Sequence, residues 1–326
     1  MVLAAVAQIC SRNHIATNLR ICRSVVRRAA ERGAKLVCLP EASDYIAPAR
    51  DVIGLAEPLE TSPFVRGLQE EARRYSVWVS VGVHEAPPAS PSSGNRQDNG
   101  PDKRCYNTQC LIDPTGNIAS AYRKLHLFDV DIQGGSSTSE SDTTRKGEAL
   151  PKVTETEVGK GKSLTTLSCS ALAFTDLRMA QGADIITYPS AFTVKTGMAH
   201  WGGLSFLIPH LLFPYLHSRL VPNAETRLAE PLLRARAIET QSYVLAAAQF
   251  GSHPPTSRTS YGSACFIDPW GKILAQCDDN LSQYEDTEKE DCGSFCIADI
   301  DLSYLAKIRK EMPLWEQRRT DVYKKL

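Results

Sequence analysis

The chain has 326 residues, 42% of them hydrophobic, enough for one large core or two modest ones. Its 37 Lys plus Arg balance 37 Asp plus Glu, which excludes a net field that would draw the whole molecule to nucleic acid or an anionic membrane. No apolar run reaches the ~18 residues that cross a bilayer, and the nearest, over 204–216, is broken by Pro209, His210 and Pro214.

From the N-terminus, the apolar run MVLAAVAQIC predicts a strand over 2–9, and apolar residues at three- and four-residue spacing predict a helix over 18–32. The same rules predict strands over 35–39, 77–83, 105–112, 118–122, 164–169, 185–188, 243–249, 263–267, 273–276 and 294–300, with helices over 62–75 and 232–240. Strands that alternate with helices early and then come in consecutive pairs read as an α/β protein, its sheets covered by helices on their outer faces. An internal echo supports a layered, pseudo-symmetric arrangement. Residues 110–118 and 265–273 share a strand, an Asp-Pro-x-Gly turn and a second strand, and both read as β-hairpins.

Residues 86–103, 134–146 and 278–292 are rich in polar and turn-forming residues and read as loops. The ten cysteines are scattered through apolar runs such as LVCLP and SFCIAD, and no secretory h-region precedes them. Most are therefore expected to be small buried hydrophobes in a reducing compartment, the cytoplasm. The first thirty residues are Arg-rich and acid-free, which also permits a mitochondrial transit reading.

Three segments carry chemistry. LVCLPEAS ends an apolar strand at Pro40, which cannot donate to a sheet ladder, and so leaves Glu41 at a strand terminus. YRKLHLFDVD delivers Lys124 in the continuation of another strand, and Cys169 lies upstream of ADIITYPSAF. Amide hydrolysis needs a nucleophile, a group to shuttle its proton, and positive charge where the carbonyl oxygen becomes an oxyanion. A thiol, a carboxylate and an ammonium supply all three. Burial would raise the Glu41 pKa and a nearby ammonium would oppose the rise, a balance that sequence leaves open. Metal and nucleotide sites have no matching signature: the seven histidines show no ligand spacing, and neither a phosphate loop nor a dinucleotide fingerprint occurs.

The runs around Glu41 and Lys124, with Glu140-Ser141-Asp142, Ala183–Phe192, Ala199-His200-Trp201, the stretch 234–241 and the terminal Arg318–Tyr323, resemble the nitrilase superfamily, the carbon–nitrogen hydrolases, in the branch that holds deaminated-glutathione amidases. The resemblance implies a four-layer αββα sandwich, usually homodimeric, with no cofactor or metal. It makes Lys124 the oxyanion-stabilising residue and Glu140 a second carboxylate that positions Lys124 or the deacylating water. It further implies an amidase that cleaves the C–N bond of a small 2-oxo-acid amide such as deaminated glutathione through a thioester, with a related ω-amidase or a catalytically impaired scaffold as alternatives.

Two segments depart from the family pattern. Strand-end logic and distance from Gly182 favour Cys169 as the nucleophile over a structural buried thiol or a disrupted site. Anchoring on Asp176-Leu177-Arg178 instead puts Phe174 there, and neither placement keeps the following helix intact. Arg178 is the candidate partner for a substrate carboxylate, and Thr196 a further substrate-binding candidate. Residues 202–231 form an apolar, Pro-interrupted segment where the family pattern would pass straight into a helix. They read as an irregular insertion, a lid or partner-binding segment, or as translated non-coding sequence.

Overall fold

The computed structural model describes residues 2–88, 102–130, 138–156, 158, 162–166, 182–194, 231–277, 292–319 and 321–322. Strand β1 (Val2–Ile9) leads to helix α1 (Ile15–Glu31), β2 (Leu36–Cys38), α2 (Ala49–Leu55), α3 (Pro63–Tyr75), β3 (Trp78–Glu85), β4 (Cys105–Ile112) and β5 (Ile118–Arg123). Short strands β6 (Asp129–Val130), β7 (Thr138–Ser139), β8 (Thr144–Arg145) and β9 (Thr154–Thr156) follow, with a 3-10 turn at Glu140–Asp142. The second half holds β10 (Lys162–Thr166), β11 (Ile185–Thr187), α4 (Pro231–Thr240), β12 (Tyr243–Ala246), β13 (Ala248–Ser252), β14 (Thr259–Tyr261), β15 (Cys265–Ile267), β16 (Ile273–Gln276), β17 (Ser294–Ile300) and α5 (Leu302–Glu311).

Two sheets form. One runs β14-β13-β1-β2-β3-β4-β5, with β17 also on β1 and β8 on β4; the other runs β16-β15-β12-β11-β10-β9. The period-2 alternation of β1 divides its side chains between two cores. Ala5, Ala7 and Ile9 pack with Ile21, Cys22, Val25 and Val26 of α1 and with Phe64, Val65 and Leu68 of α3. Ala4 and Val6 face the second sheet and meet Ile185, Tyr243, Leu245 and Phe266. On the far side of that sheet Ile186, Val244 and Cys265 pack against Leu233 and Ala237 of α4. The layers are therefore α, β, β, α, as expected.

The helix ends explain themselves locally. Ser62 caps α3 by accepting from the Val65 amide, Pro63 fills the first turn where no N–H is needed, and Asp301 caps α5 by accepting from Ser303 and Tyr304. The two Asp-Pro-x-Gly hairpins close the edge of one sheet each. Asp113 Oδ1 accepts from the amides of Thr115 and Asn117, and Asp268 Oδ1 from those of Trp270 and Lys272. Gly116 and Gly271 take φ values of 82° and 83°, the left-handed conformation that such turns require.

Four expectations change. The strand expected over 243–249 is two strands in different sheets: Ala247 accepts from the Ser190 amide, and the chain there passes from the second sheet into the first. The loop expected over 134–146 contains β7, the 3-10 turn and β8, held by hydrogen bonds from outside the loop. Helices α2 and α5 were not foreseen. α2 has no buried residue, so it carries no apolar period, while α5 buries only Leu305 and Ile308. Residues 202–230 of the expected insertion, and Cys169, Arg178 and Thr196, lie outside the described residues.

Candidate active site

Glu41 is placed by backbone hydrogen bonds that prolong the β2–β3 pairing beyond the end of β2. Leu39 donates to Ser80 O (2.7 Å), Gly82 to Pro40 O (3.1 Å) and Ser43 to Gly82 O (2.8 Å). Ala42 turns the chain at φ 53°. Gln249 Nε2, arriving on β13 from the sheet crossing, donates to the carbonyls of Glu41 (2.9 Å) and Ala42 (3.2 Å). Pro40 has no N–H to leave unsatisfied in this tight passage.

Lys124 follows β5 directly. Its amide donates to Asn107 O and its carbonyl accepts from Gly147 N, both at 2.8 Å. A Cβ on Gly147 would lie 2.2 Å from Arg123 O, so only glycine lets the chain pass this close. The ammonium points inward with its side chain 7% exposed. Nζ stands 3.1 Å from Glu41 Oε1 and 3.2 and 3.0 Å from the two oxygens of Glu140. Glu140 sits in the 3-10 turn, where its Oε2 accepts from the Phe128 amide at 2.8 Å and its own amide donates to Phe128 O.

The structure thus brings Glu41 together with Lys124 and Glu140, which lie 83 residues and more further along the chain. It adds Asn107, whose Nδ2 donates to Glu41 Oε1 (2.5 Å) and to Glu140 Oε1 (3.2 Å). Asn107 was missed, although the consecutive polar residues Asn107, Thr108 and Gln109 inside strand 105–112 were a usable signal. Gly82 was missed as well; it pairs with Gln109 and leaves room for the Glu41 backbone.

Burial raises the Glu41 pKa. The Lys124 charge, the Asn107 hydrogen bond and the Arg258 charge together outweigh it, and the net direction is below the ordinary carboxylate value. The groups around Glu41 thus favour its ionised form. Lys124 is shared between two carboxylates, which compensate the ammonium in a nearly dry site.

The strand that precedes Cys169 is β10. It runs parallel to β11, with Thr166 beside Thr187. Beyond β11 the chain continues as Tyr188 and Ser190, which donate to Leu245 O and Ala247 O, and Ser190 accepts from Gln249. Gln249 in turn holds Glu41, so β10 and β11 point toward the end of the molecule that carries the carboxylates. Among the described residues no group of three or more His, Cys, Asp and Glu side chains has the arrangement of a metal site.

A model of the carbon-nitrogen hydrolase family matches residues 3–207 and 222–310, so its break, 208–221, falls inside the segment expected as an insertion. The chain is 38% identical to the probable hydrolase nit2 of Schizosaccharomyces pombe over 99% of both chains. It is 36% identical to human deaminated glutathione amidase over 98% of this chain and 83% of that protein. Among solved structures, the Caenorhabditis elegans NitFhit protein aligns with 99% of this chain and 66% of its own, at 32% identity and a TM-score of 0.75. With both the four-layer fold and the sequence matched along nearly its whole length, this chain belongs to the carbon-nitrogen hydrolase family.

Proposed function

We propose that the chain is an amidase that hydrolyses a small 2-oxo-acid amide of the deaminated glutathione type through a Cys169 thioester. The carrying observation is the Lys124 ammonium held at 3.0–3.2 Å from three oxygens of Glu41 and Glu140. That arrangement supplies an ionised base and a preorganised cation side by side. The names of the relatives supply the substrate class.

In this reading Glu41 takes the Cys169 thiol proton, and the sulfur attacks the amide carbon while Lys124 donates to the oxygen that becomes negative. The C–N bond breaks as Glu41 returns its proton to the departing nitrogen, leaving a thioester. Water then gives up a proton to Glu41 and its oxygen attacks the thioester. The C–S bond breaks, the acid leaves, and Cys169 recovers its proton from Glu41. Glu140 holds Lys124 through both steps. Deaminated glutathione would release cysteinylglycine by this route, and a simple primary 2-oxo amide would release ammonia.

The test is cysteinylglycine release from deaminated glutathione by the parent chain and by Cys169→Ala. Activity in the parent that vanishes in the variant supports the reading, and a folded parent that releases neither product overturns it. Thiol labelling gives a second measure. The nine described cysteines are buried, and burial pushes the thiols of Cys22, Cys38 and Cys110 well above their ordinary value. An activated nucleophile should therefore be the one cysteine that iodoacetamide modifies quickly in the native protein.

A further inference from the structure

Beside the carboxylate cluster stands a histidine that the proposed chemistry does not use. His84, on β3, pairs in register with Asn107 on β4. Side chains directly opposite each other in an antiparallel pair leave the same face of the sheet. His84 is thus carried on the face from which Asn107 reaches Glu41 and Glu140.

Its imidazole is held from two sides. Nδ1 lies 3.0 Å from Asp44 Oδ1, and Tyr45 stacks on the ring with centroids 4.2 Å apart and planes 18° from parallel. Both holders are themselves anchored. Asp44 Oδ2 accepts from the His84 amide at 2.7 Å, Asp44 O accepts from Asn18 Nδ2 at 2.7 Å, and Tyr45 Oη donates to Val52 O at 2.7 Å. A carboxylate is an acceptor only, so Nδ1 carries a proton. Nε2 has no hydrogen-bond partner among the described residues, and the side chain is 16% exposed.

A buried Asp–His pair with its outer nitrogen left without a described partner is costly as a purely structural device. The apolar face of Tyr45 would pack as well against a leucine, and the Asp44 carboxylate is already held by the Tyr45 and His84 amides, so what the imidazole alone adds is its outer nitrogen. The charges also need an explanation. A 2-oxo acid is an anion at neutral pH, and it would enter beside two carboxylates that already engage Lys124, with Arg258 the other positive charge acting on Glu41. An imidazolium backed by Asp44 answers that need. Burial works against the charge on His84, but the negative groups Asp44, Glu41 and Glu140 prevail and its pKa is raised.

We infer that His84 is a specificity-determining residue, its Nε2–H donating to a carboxylate oxygen of an anionic substrate while Asp44 and Tyr45 hold the ring in place. The inference rests on the amidase reading for its substrate and on the local geometry for its donor. No bond is made or broken at His84.

The experiment compares parent, His84→Asn and His84→Gln on a 2-oxo-acid amide and on the same amide with its 2-oxo carboxylate as the methyl ester. Asn keeps a donor near the Nδ1 position for Asp44 and removes Nε2; Gln restores a donor near Nε2. The parent should prefer the acid. In His84→Asn the KM for the acid should rise by roughly tenfold or more with kcat little changed, the preference for the acid over the ester should collapse, and Gln should recover part of it. Equal losses on acid and ester, or an unchanged KM for the acid in a variant with the parent's circular dichroism and melting temperature, would overturn the inference.

If the parent cleaves no amide, the amidase reading fails by itself. His84 is then tested by calorimetric titration with 2-oxoglutarate. Binding to the parent that weakens by roughly tenfold in His84→Asn supports the inference, and equal affinities, or no binding to the parent, overturn it.

Discussion

Gly82 lies directly against the backbone of Glu41: a Cβ built on the glycine would stand 2.6 Å from Glu41 Cα and 2.9 Å from Pro40 O. Those atoms are main chain, so they cannot swing away as a flexible side chain would. Gly82→Ala should push the Glu41 turn off β3 and lower kcat/KM by about 10²-fold, with a stability loss of about 1–3 kcal/mol from overpacking. Gly54→Ala, where nothing lies within 4 Å of the added carbon, is the control. It sits in the exposed helix α2 and should leave activity intact. Steady-state kinetics and urea unfolding of both variants decide the matter.

Asn107 sets the acid limb of the pH–rate profile. Its hydrogen bond helps to hold the Glu41 pKa down against burial, and in the proposed mechanism Glu41 must be ionised to accept the thiol proton. Activity is therefore lost as pH falls through the Glu41 pKa. Asn107→Ala removes a stabiliser of the ionised form and should move the acid limb of kcat/KM to higher pH, with a loss of about 10- to 100-fold at neutral pH. An unmoved acid limb would mean that the limb belongs to another group.

Glu41, Lys124 and Glu140 were legible because each is a charged residue at the end of an apolar run or within a run of family-like residues. What the sequence hid is what register and crossing create. Asn107 acquires its role only because β3, β4 and the end of β5 align, and Gln249 acquires its role only because the chain changes sheets at Ala247. The 3-10 turn at Glu140 was lost in a Ser/Thr-rich composition, since the groups that order it, Phe128 and Asp129, lie outside that stretch. The Asp44–His84 pair was invisible for the same reason: forty residues separate two side chains that touch.

Arg309 and Asp184 form a buried ion pair that ties α5 to the start of β11. Arg309 Nη1 stands 2.5 Å from Asp184 Oδ1, and the guanidinium also donates to Ala183 O and Gln241 O. Asp184 is fully buried. Arg309→Met would leave its carboxylate without that charge and should destabilise the protein by about 3–5 kcal/mol. Adding Asp184→Asn in the same chain removes the stranded charge and should recover part of the loss. Denaturant midpoints of the single and double variants measure both terms, and a single variant within 1 kcal/mol of the parent, far below that range, would refute the account.

His253 makes the fold sensitive to mild acid. It is fully buried. Nδ1 donates to Ser11 O and Nε2 accepts from Ser260 Oγ, both at 2.8 Å, so the neutral ring satisfies both partners. Burial, reinforced by Arg258 and Arg12 and opposed by the Ser11 carbonyl, pushes its pKa from 6.5 down to about 4. The unfolded chain therefore binds a proton that the folded chain refuses between those values. The contribution is fully present above pH 6.5 and is lost as pH falls toward about 4, a drop of about 3 kcal/mol. Urea unfolding at about pH 7 and about pH 4.5 should show that drop in the parent and a shallower one in His253→Gln, which keeps a donor and an acceptor but cannot titrate. Equal slopes in the two proteins would assign the acid sensitivity to other groups.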